Sequence, residues 1–340
     1  MPTLTLLLFS AAFAGGLPEP LETFLADPFE VLARDAVPRG FYPVVISHVS
    51  EACVNLALEE PALREEGERC LDRAADLALD PRSSPLDVPA DRADDLGEHG
   101  LYLAHLGITL GAYARLVGDG QHDEVHRRVA RRLLELSVGD PQLHAPSFAG
   151  DPHRWPADQA VVLRALQLYD ETRNSQLHTV PLMAWLAVME THRDPATGLY
   201  ISELTGADDS SALPRGCATT WTVRYLAPVA PAAAEDQWER AKRHQLTRLG
   251  PLAGFREWPR GVQRPADVDS GPIVMGVGAA ATAFGMGAAR AMDDPMTYAA
   301  LASTANLGRA AVAVDPQTEA IADGILAAAI DAAMRSSRPW

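Results

Sequence analysis

The stretch LGEHGLYLAHLGITLGAYARLVGDGQ, from Leu96 to Gln121, decides the fold prediction. Its apolar residues recur at helical spacing as far as Val117, and Gly107 and Gly111 keep part of the helix surface small. A short connection with two glycines ends the helix, and an arginine-rich helical segment follows. A small-faced helix followed by a charged one predicts the inner and the outer helix of one hairpin.

The connections between helices alternate in length along the chain. Those inside the hairpins are about four residues long, whereas those between hairpins are long, polar and rich in proline and glycine. The long ones are Pro81–Asp95, Gly139–Trp155, His192–Gly216 and Leu249–Gly271. A closed ring of hairpins places all of them at one end, where long loops usually carry function, whereas an α-solenoid would lack the alternation. We therefore predict an all-α fold, a single (α/α)6 toroid domain over residues 15–340.

The same periodicity predicts the other helices, several of which start near a proline. Pro18–Ala36 is either a leading helix or a pair of short helices. The others are Pro43–Glu60, Pro61–Leu79, Gln121–Leu136, Pro156–Tyr169, Leu177–Thr191, Ala218–Leu226, Pro231–Leu246, Pro272–Met292, Met296–Val314 and Thr318–Arg335. The only convincing strand pattern is Leu199–Leu204, half of a small hairpin after the turn Asp194-Pro-Ala-Thr-Gly198.

Composition and the N-terminus limit the class of protein. The 340 residues carry a formal net charge of −16, which argues against a nucleic-acid partner because phosphate binding needs a basic surface. A short apolar stretch ends in Ala12-Phe13-Ala14, which predicts a signal peptide over residues 1–14 and a secreted or periplasmic protein. No later apolar run reads as a membrane span. Oligomeric state is left open.

The chain has three cysteines, which are relevant to the prediction that the protein is secreted or periplasmic. Cys53 and Cys70 lie at similar distances from the turn at Glu60-Pro61, so they can face one another in an antiparallel hairpin. A disulfide is chemically sensible in an oxidising compartment, although spacing does not fix the direction of the side chains. Cys217 is then a single thiol, either a small buried residue or part of the site.

Three segments resemble the linalool dehydratase/isomerase family, loosely over Phe41 to Leu307. They are Tyr102–Gly118, the pattern Asp194-Pro-Ala-Thr-Gly-Leu-Tyr200 followed by Thr219-Thr-Trp221-Thr, and Asp267-Val-Asp-Ser-Gly271 leading into a small-residue helix. The resemblance implies a toroid with its site at the long-loop end, chemistry on an alcohol, and a role for His105. That family uses two cysteines in the segment corresponding to Phe148–Gln159. This chain has none there, and Asp158 stands near one of those places.

Residues near the starts of the inner helices are the candidates for catalysis. His105 shares a helix face with Glu98, Tyr102 and Thr109, and a histidine beside a tyrosine and a carboxylate suits proton transfer. Its structural alternative is a hydrogen-bonded histidine between packed helices. Asp158 lies in the first turn of its helix, where it either stabilises the helix or serves the site.

The loops beside Asp158 supply further candidates. Arg154 and Trp155 are expected to line the mouth, together with Trp258 and Tyr102 as aromatic walls. Asp269 or Ser270 is expected to cap a helix starting near Pro272, leaving one carboxylate of the Asp267/Asp269 pair to face the cavity. The residues predicted to act in catalysis are His105, Asp158, Asp267 and Asp269. Those predicted to bind substrate are Tyr102, Arg154, Trp155, Cys217 and Trp258.

The remaining sequence motifs give weaker evidence for a functional site. His122 and His126 lack the order of the zinc-protease motif and fall at a short connection, so we expect solvated surface residues. No metal site and no cofactor are predicted. The first functional hypothesis is a lyase or isomerase of the dehydratase type, acting on a small hydroxylated molecule by acid–base catalysis. The alternatives are a glycoside hydrolase, by analogy with other toroids, and a non-catalytic binding protein.

Overall fold

The structure is a computed structural model that describes residues 17, 19–34, 37–86, 88–118, 120–204, 213–267 and 269–312. The predicted signal peptide and the predicted helix Thr318–Arg335 lie outside these residues.

Within the described residues the fold is almost entirely helical. The helices are α1 (Glu19–Ala26), α2 (Pro28–Arg34), α3 (Tyr42–Glu59), α4 (Arg64–Leu79), α5 (Gly100–Leu116), α6 (Asp123–Gly139), α7 (Pro156–Arg173), α8 (Thr179–Thr191), α9 (Gly216–Val229), α10 (Pro231–His244), α11 (Ala279–Ala291) and α12 (Pro295–Val312). From α3 onward they form hairpins, and the all-α (α/α)6 toroid predicted from the sequence is confirmed.

Inner and outer helices differ as their compositions predict. Successive odd-numbered helices from α3 to α11 pack against one another, and α5 is buried on every side from Gly100 to Tyr113. The charged helices α4, α6 and α10 are buried only at positions that recur every three or four residues, so each turns one face to the interior.

Small residues set the spacing of the inner helices. A Cβ at Gly111 would lie 2.8 Å from the Cβ of Leu168 on α7, and one at Gly107 would lie 3.0 Å from the Cβ of Ala165. Any larger side chain would force α5 and α7 apart, because packed interiors leave no room of that size. The two glycines that identified α5 as an inner helix are therefore the residues that allow its close contact with α7.

The long connections lie at the N-terminal ends of the inner helices, as predicted, but one was misassigned. The segment after α10 forms two antiparallel hairpins: β1 (Leu246–Leu249) with β2 (Leu252–Phe255), and β3 (Ile273–Val274) with β4 (Val277–Gly278). Helix α11 thus begins at Ala279, not at Pro272, and its N-cap Gly278 receives no side-chain cap. The prediction of a helix capped by Asp269 or Ser270 is wrong.

The one predicted strand, Leu199–Leu204, is reduced to a single bridge between Arg193 and Tyr200. The turn before it forms as predicted, since Asp194 accepts hydrogen bonds from the backbone N–H and the hydroxyl of Thr197, and Gly198 adopts a φ of 70°. This turn places the segment ending at Leu204 against the loop that precedes α7.

The first hairpin is covalently closed. Cys53 on α3 and Cys70 on α4 form a disulfide with a Cα–Cα distance of 5.7 Å, within the normal range. The segment Arg39–Glu59, which contains α3, is long and apolar enough to cross a bilayer by length and composition. We expected no such run. It is 78% buried inside the structure, as suits a core helix.

Candidate functional site

Asp158 lies in the first turn of α7, after the N-cap residue Trp155. Its side chain is partly exposed at the long-loop end and accepts a hydrogen bond from the hydroxyl of Ser147. Desolvation raises the pKa of Asp158 to about 6, and the carboxylates of Asp269 and Asp151 add to the rise, while the Ser147 hydrogen bond opposes it. A carboxyl group with that pKa exists in both protonation states near neutral pH, as a general acid requires.

Arg215 joins three carboxylates beside Asp158. It is the N-cap residue of α9, and its guanidinium binds Glu257 at 2.8 Å, Asp267 at 2.8 Å and Asp269 at 3.7 Å. Gly216 allows Arg215 and Glu257 to come together, because a Cβ at this position would lie 2.0 Å from the carbonyl oxygen of Arg256. Only glycine lets the loop after β2 lie this close to the start of α9.

The two aspartates of the 267/269 pair have different roles. Asp267 accepts hydrogen bonds from the backbone N–H groups of Asp269 and Ser270 as well as from Arg215. Partial burial acts to raise the pKa of Asp267, but these hydrogen bonds and the Arg215 cation outweigh that effect, so its pKa is lowered. Within the described residues the side chain of Asp269 has only the longer contact with Arg215, and burial raises its pKa despite that cation. Asp267 therefore holds the turn, and Asp269 is the carboxylate left to act with Asp158.

Glu257 and Cys217 form the buried base of this cluster. The Cys217 thiol donates to Glu257 at 3.0 Å, and burial, followed by the negative charge of Glu257, raises the pKa of Cys217 well above its usual value. Burial also raises the pKa of Glu257, against the opposing effect of Arg215. A thiol that stays protonated is a hydrogen-bond donor and a poor nucleophile. Cys217 therefore contacts Glu257 as part of the support beneath Arg215.

Trp258 packs against the same cation. The guanidinium of Arg215 lies 5.1 Å from the centre of its ring and that of Arg264 lies 5.0 Å from it, both within cation–π range. The indole is 8% exposed and its Nε1 has no hydrogen-bond partner in the described part of the chain. The predicted aromatic wall is thus mostly covered.

His105 lies deeper than the carboxylates, in the middle of the helix ring, and is 0% exposed. Its Nδ1 is 2.7 Å from the Ser47 hydroxyl, which itself donates to the Val44 carbonyl, so Nδ1 carries the hydrogen. Its Nε2 has no partner among the described residues. Burial, with a smaller effect from the Arg224 cation, lowers the pKa of His105 to about 3, which keeps the ring neutral.

A buried ion pair neighbours His105. Arg224 on α9 pairs with Glu51 on α3 and donates to Nε2 of His48 at 2.8 Å. Trp221 and Tyr225 cover the His105 ring, with ring centres 5.8 and 6.2 Å away. This group is a closed polar cluster between helices, the arrangement that the sequence left as the structural alternative for His105.

The remaining predicted residues are placed as follows. Tyr102 is buried on α5, and burial raises its pKa to about 12. Arg154 is held within its own loop by Asp140 at 2.8 Å and by the Asp151 carbonyl at 2.7 Å. Trp155 lies beside the His153 ring, 5.9 Å between centres. The structure therefore brings Asp158, Asp269, Asp267, Cys217 and Trp258 into one region, whereas His105 belongs to a separate cluster.

Sequence reasoning did not select three residues that shape this site: Ser147, Arg215 and Glu257. A signal existed for Arg215, which stands at the end of a long connection, three residues before the predicted helix start at Ala218. The others depend on which loops meet. Among the described residues no group of three or more histidine, cysteine or acidic side chains is arranged to hold a metal ion.

His122 and His126 correct a further expectation. Both are buried, not solvated: His122 packs against Tyr113 and His126 against Tyr169, with ring centres 4.7 and 5.0 Å apart. His126 on α6 and His122, the N-cap residue of that helix, face inward, where tyrosines from α5 and α7 cover them.

The chain resembles the solved structure of a family 76 glycoside hydrolase from a bovine Bacteroides thetaiotaomicron strain. The TM-score is 0.52 at 9% sequence identity, and the match covers 86% of this chain and 69% of that one. At this identity the likeness shows the fold alone, the helical toroid. It leaves the linalool dehydratase/isomerase resemblance as a prediction. No family model and no curated protein matches the chain.

Proposed function

We propose that this chain is a glycoside hydrolase whose site lies at the long-loop end of the toroid. The observation that carries the proposal is the pair formed by Asp158, whose pKa is raised to about 6, and the neighbouring carboxylate Asp269. Glycoside hydrolysis uses a protonated carboxylic acid and a second carboxylate. The structural neighbour is itself a glycoside hydrolase, which adds support from a related fold.

Asp158 is the general acid in this proposal. It protonates the oxygen of the leaving sugar, and Ser147 keeps its carboxyl group oriented. Asp269 serves as the base that activates water or as the nucleophile, with Arg215 fixing its position. No described cation pairs with Asp158, and Asp269 has only the 3.7 Å contact with Arg215 among the described residues. These incompletely paired charges favour an enzyme over a binding protein, since a purely structural cluster tends to satisfy its charges.

We further propose export through the predicted signal peptide. The Cys53–Cys70 disulfide supports this, because disulfides persist in secreted and periplasmic proteins. A glycan outside the cytoplasm is then the substrate class.

The test is a panel of aryl glycosides and polysaccharides assayed with the mature chain. Asp158→Asn and Asp269→Asn are each expected to lower kcat by at least about a hundredfold. Asp293→Asn, an exposed residue at a short connection, is the matched control and should leave kcat unchanged. The anomer released, read by proton NMR, assigns Asp269 as nucleophile or base. Full activity of Asp158→Asn on every substrate contradicts the proposal.

A second candidate is the dehydratase or isomerase chemistry implied by the resemblance. It is favoured by one observation: Nε2 of the neutral His105 ring and the hydroxyl of the neighbouring Tyr225 have no hydrogen-bond partner among the described residues. These two groups suit a small alcohol. Turnover of a tertiary allylic alcohol that is lost in His105→Ala and kept in Asp158→Asn supports this candidate over the first.

A further inference from the structure

Two loops meet beside Asp158 and bring a histidine onto a buried glutamate. The backbone N–H of Leu204 donates to the Arg154 carbonyl at 3.1 Å, and the Gln142 side chain donates to the Leu204 carbonyl at 3.2 Å. These bonds fix the segment ending at Leu204 against the loop before α7. His153 Nδ1 thereby contacts a carboxylate oxygen of Glu203.

The two partners differ in exposure. The side chain of Glu203 is 3% exposed and that of His153 is 45% exposed. In the part of the chain that the structure describes, His153 is the only side chain bonded to Glu203. Burying a carboxylate with a single side-chain partner costs free energy, so packing alone does not account for this pair.

The contact sets the direction of the imidazole. A carboxylate only accepts hydrogen bonds, so Nδ1 of His153 carries the hydrogen and Nε2 lies on the other side of the ring. No described residue bonds to Nε2. A histidine oriented by a buried carboxylate, with its second nitrogen free, is arranged to bind something from solvent.

Trp155 completes the arrangement. Its partly exposed indole is inclined at 37° to the His153 ring, with centres 5.9 Å apart. The Trp155 carbonyl accepts from the backbone N–H of Asp158 at 3.0 Å, so the two rings lie one helical turn from the proposed acid. A flat apolar face beside a fixed polar group matches a pyranose, which offers an apolar face and a rim of hydroxyls.

We infer that His153, Trp155 and Glu203 form a sugar-binding subsite adjoining Asp158. Trp155 stacks on a pyranose ring, His153 Nε2 hydrogen-bonds to one of its hydroxyls, and Glu203 is a positioning residue acting through His153. The inference deepens the proposed function, on which it rests, because Asp158 would then act on a glycosidic bond of the sugar held here.

The kinetic test separates binding from turnover. His153→Gln and Trp155→Ala are each expected to raise KM about tenfold with kcat within about twofold, because one lost hydrogen bond or stacked face costs about 1.4 kcal/mol. Glu203→Gln keeps an acceptor for Nδ1 and should raise KM less, by about threefold. The matched control is His192→Gln in the neighbouring loop, where Nδ1 is held by the Val188 carbonyl and KM should not change.

The binding test does not depend on turnover. Methyl glycosides of glucose, mannose, galactose and xylose are titrated into Asp158→Asn protein while Trp fluorescence and the imidazole nitrogen resonances are followed. Binding should move the His153 Nε2 resonance, and the Kd read from Trp fluorescence should rise about tenfold when His153→Gln or Trp155→Ala is added. Glycan hydrolysis with KM unchanged in both variants overturns the subsite and keeps the proposed function. Glycoside binding that requires both residues, without hydrolysis of any panel substrate, upholds the subsite and overturns the proposed function.

Discussion

Arg215 donates a 2.8 Å hydrogen bond to Glu257, whose side chain is 0% exposed. The pair lies beneath the carboxylates that carry the proposed chemistry. It therefore holds those carboxylates in position and stabilises the loop around β2. Arg215→Met is expected to lower the free energy of unfolding by about 3–5 kcal/mol, because it leaves a buried carboxylate without its cation.

Urea unfolding of three variants checks this expectation. Arg215→Met/Glu257→Leu should recover most of the lost stability, since an apolar pair no longer buries a charge. Arg69→Met, at an exposed arginine paired with Glu66 on α4, should cost less than about 1 kcal/mol. Equal losses in Arg215→Met and in the double variant are incompatible with this account.

Asp158 should make stability depend on pH in a definite direction. Its pKa is about 6 in the folded protein and 3.8 when unfolded, so the folded state holds the proton more tightly. The stabilising effect of that proton is absent above pH 6, appears as pH falls through 6 and is complete below about 4. Its upper limit is about 3 kcal/mol, reduced by the partial exposure of the side chain.

Asp158→Asn removes this dependence. The variant should be more stable than the wild type at pH 8, by about 1–2 kcal/mol, and should lose that advantage by pH 4. Thermal or urea unfolding of both proteins across this range measures the difference directly. A constant difference at all pH values would mean that the pKa of Asp158 is not raised.

His126 is expected to weaken the protein in acid. Both its ring nitrogens lack partners in the described residues, and burial, together with a smaller effect from Arg173, lowers its pKa to about 3. The unfolded chain therefore takes up a proton below pH 6.5 that the folded chain refuses, and stability falls from there toward pH 3.

His126→Phe should relieve this loss. Removing a buried N–H without a partner is expected to raise the free energy of unfolding by about 1 kcal/mol at pH 7, with a larger gain at pH 5. Phenylalanine keeps the edge-on contact with Tyr169. Urea midpoints at the two pH values provide the measurement, and a destabilised variant at pH 5 would show that a partner for His126 exists in solution.

The Cys53–Cys70 disulfide should contribute about 3 kcal/mol, because it closes a loop of 17 residues in the unfolded chain. Adding a thiol reductant to the wild type is therefore expected to lower the urea midpoint. Cys70→Ser should show no response to reductant, whereas Cys217→Ser, which lacks only the free thiol, should respond fully. A wild-type protein indifferent to reductant would refute the estimate.

The helices and their two layers follow from the sequence because the signals are local. Gly107 and Gly111 among apolar residues marked α5 as an inner helix, and the arginines after Gln121 marked α6 as an outer one. Prolines at the first helical turn set several boundaries. The segment before α11 was misread because its glycines and small residues fit a crowded helix as well as the short β3–β4 hairpin.

The placement of Asp158 and the 267/269 pair at one end was also predictable, since alternating loop lengths fix which helix ends meet. Which carboxylate is free was not. Asp267 differs from Asp269 in its closer contact with Arg215 and in two hydrogen bonds from backbone N–H groups. The contact with Arg215 spans 52 residues of chain, whereas the two backbone hydrogen bonds lie within the turn.

Sequence thus determined the period of each helix, the face it buries and the end at which the long loops gather, because these depend on neighbours along the chain. Only the tertiary structure decided that His105 is enclosed with Ser47, that Arg215 joins Glu257 to the aspartates, and that His153 meets Glu203. Charge, burial and hydrogen bonding act between groups that are close in space. Those groups lie 40 to 60 residues apart in the chain, so no local pattern records the contact.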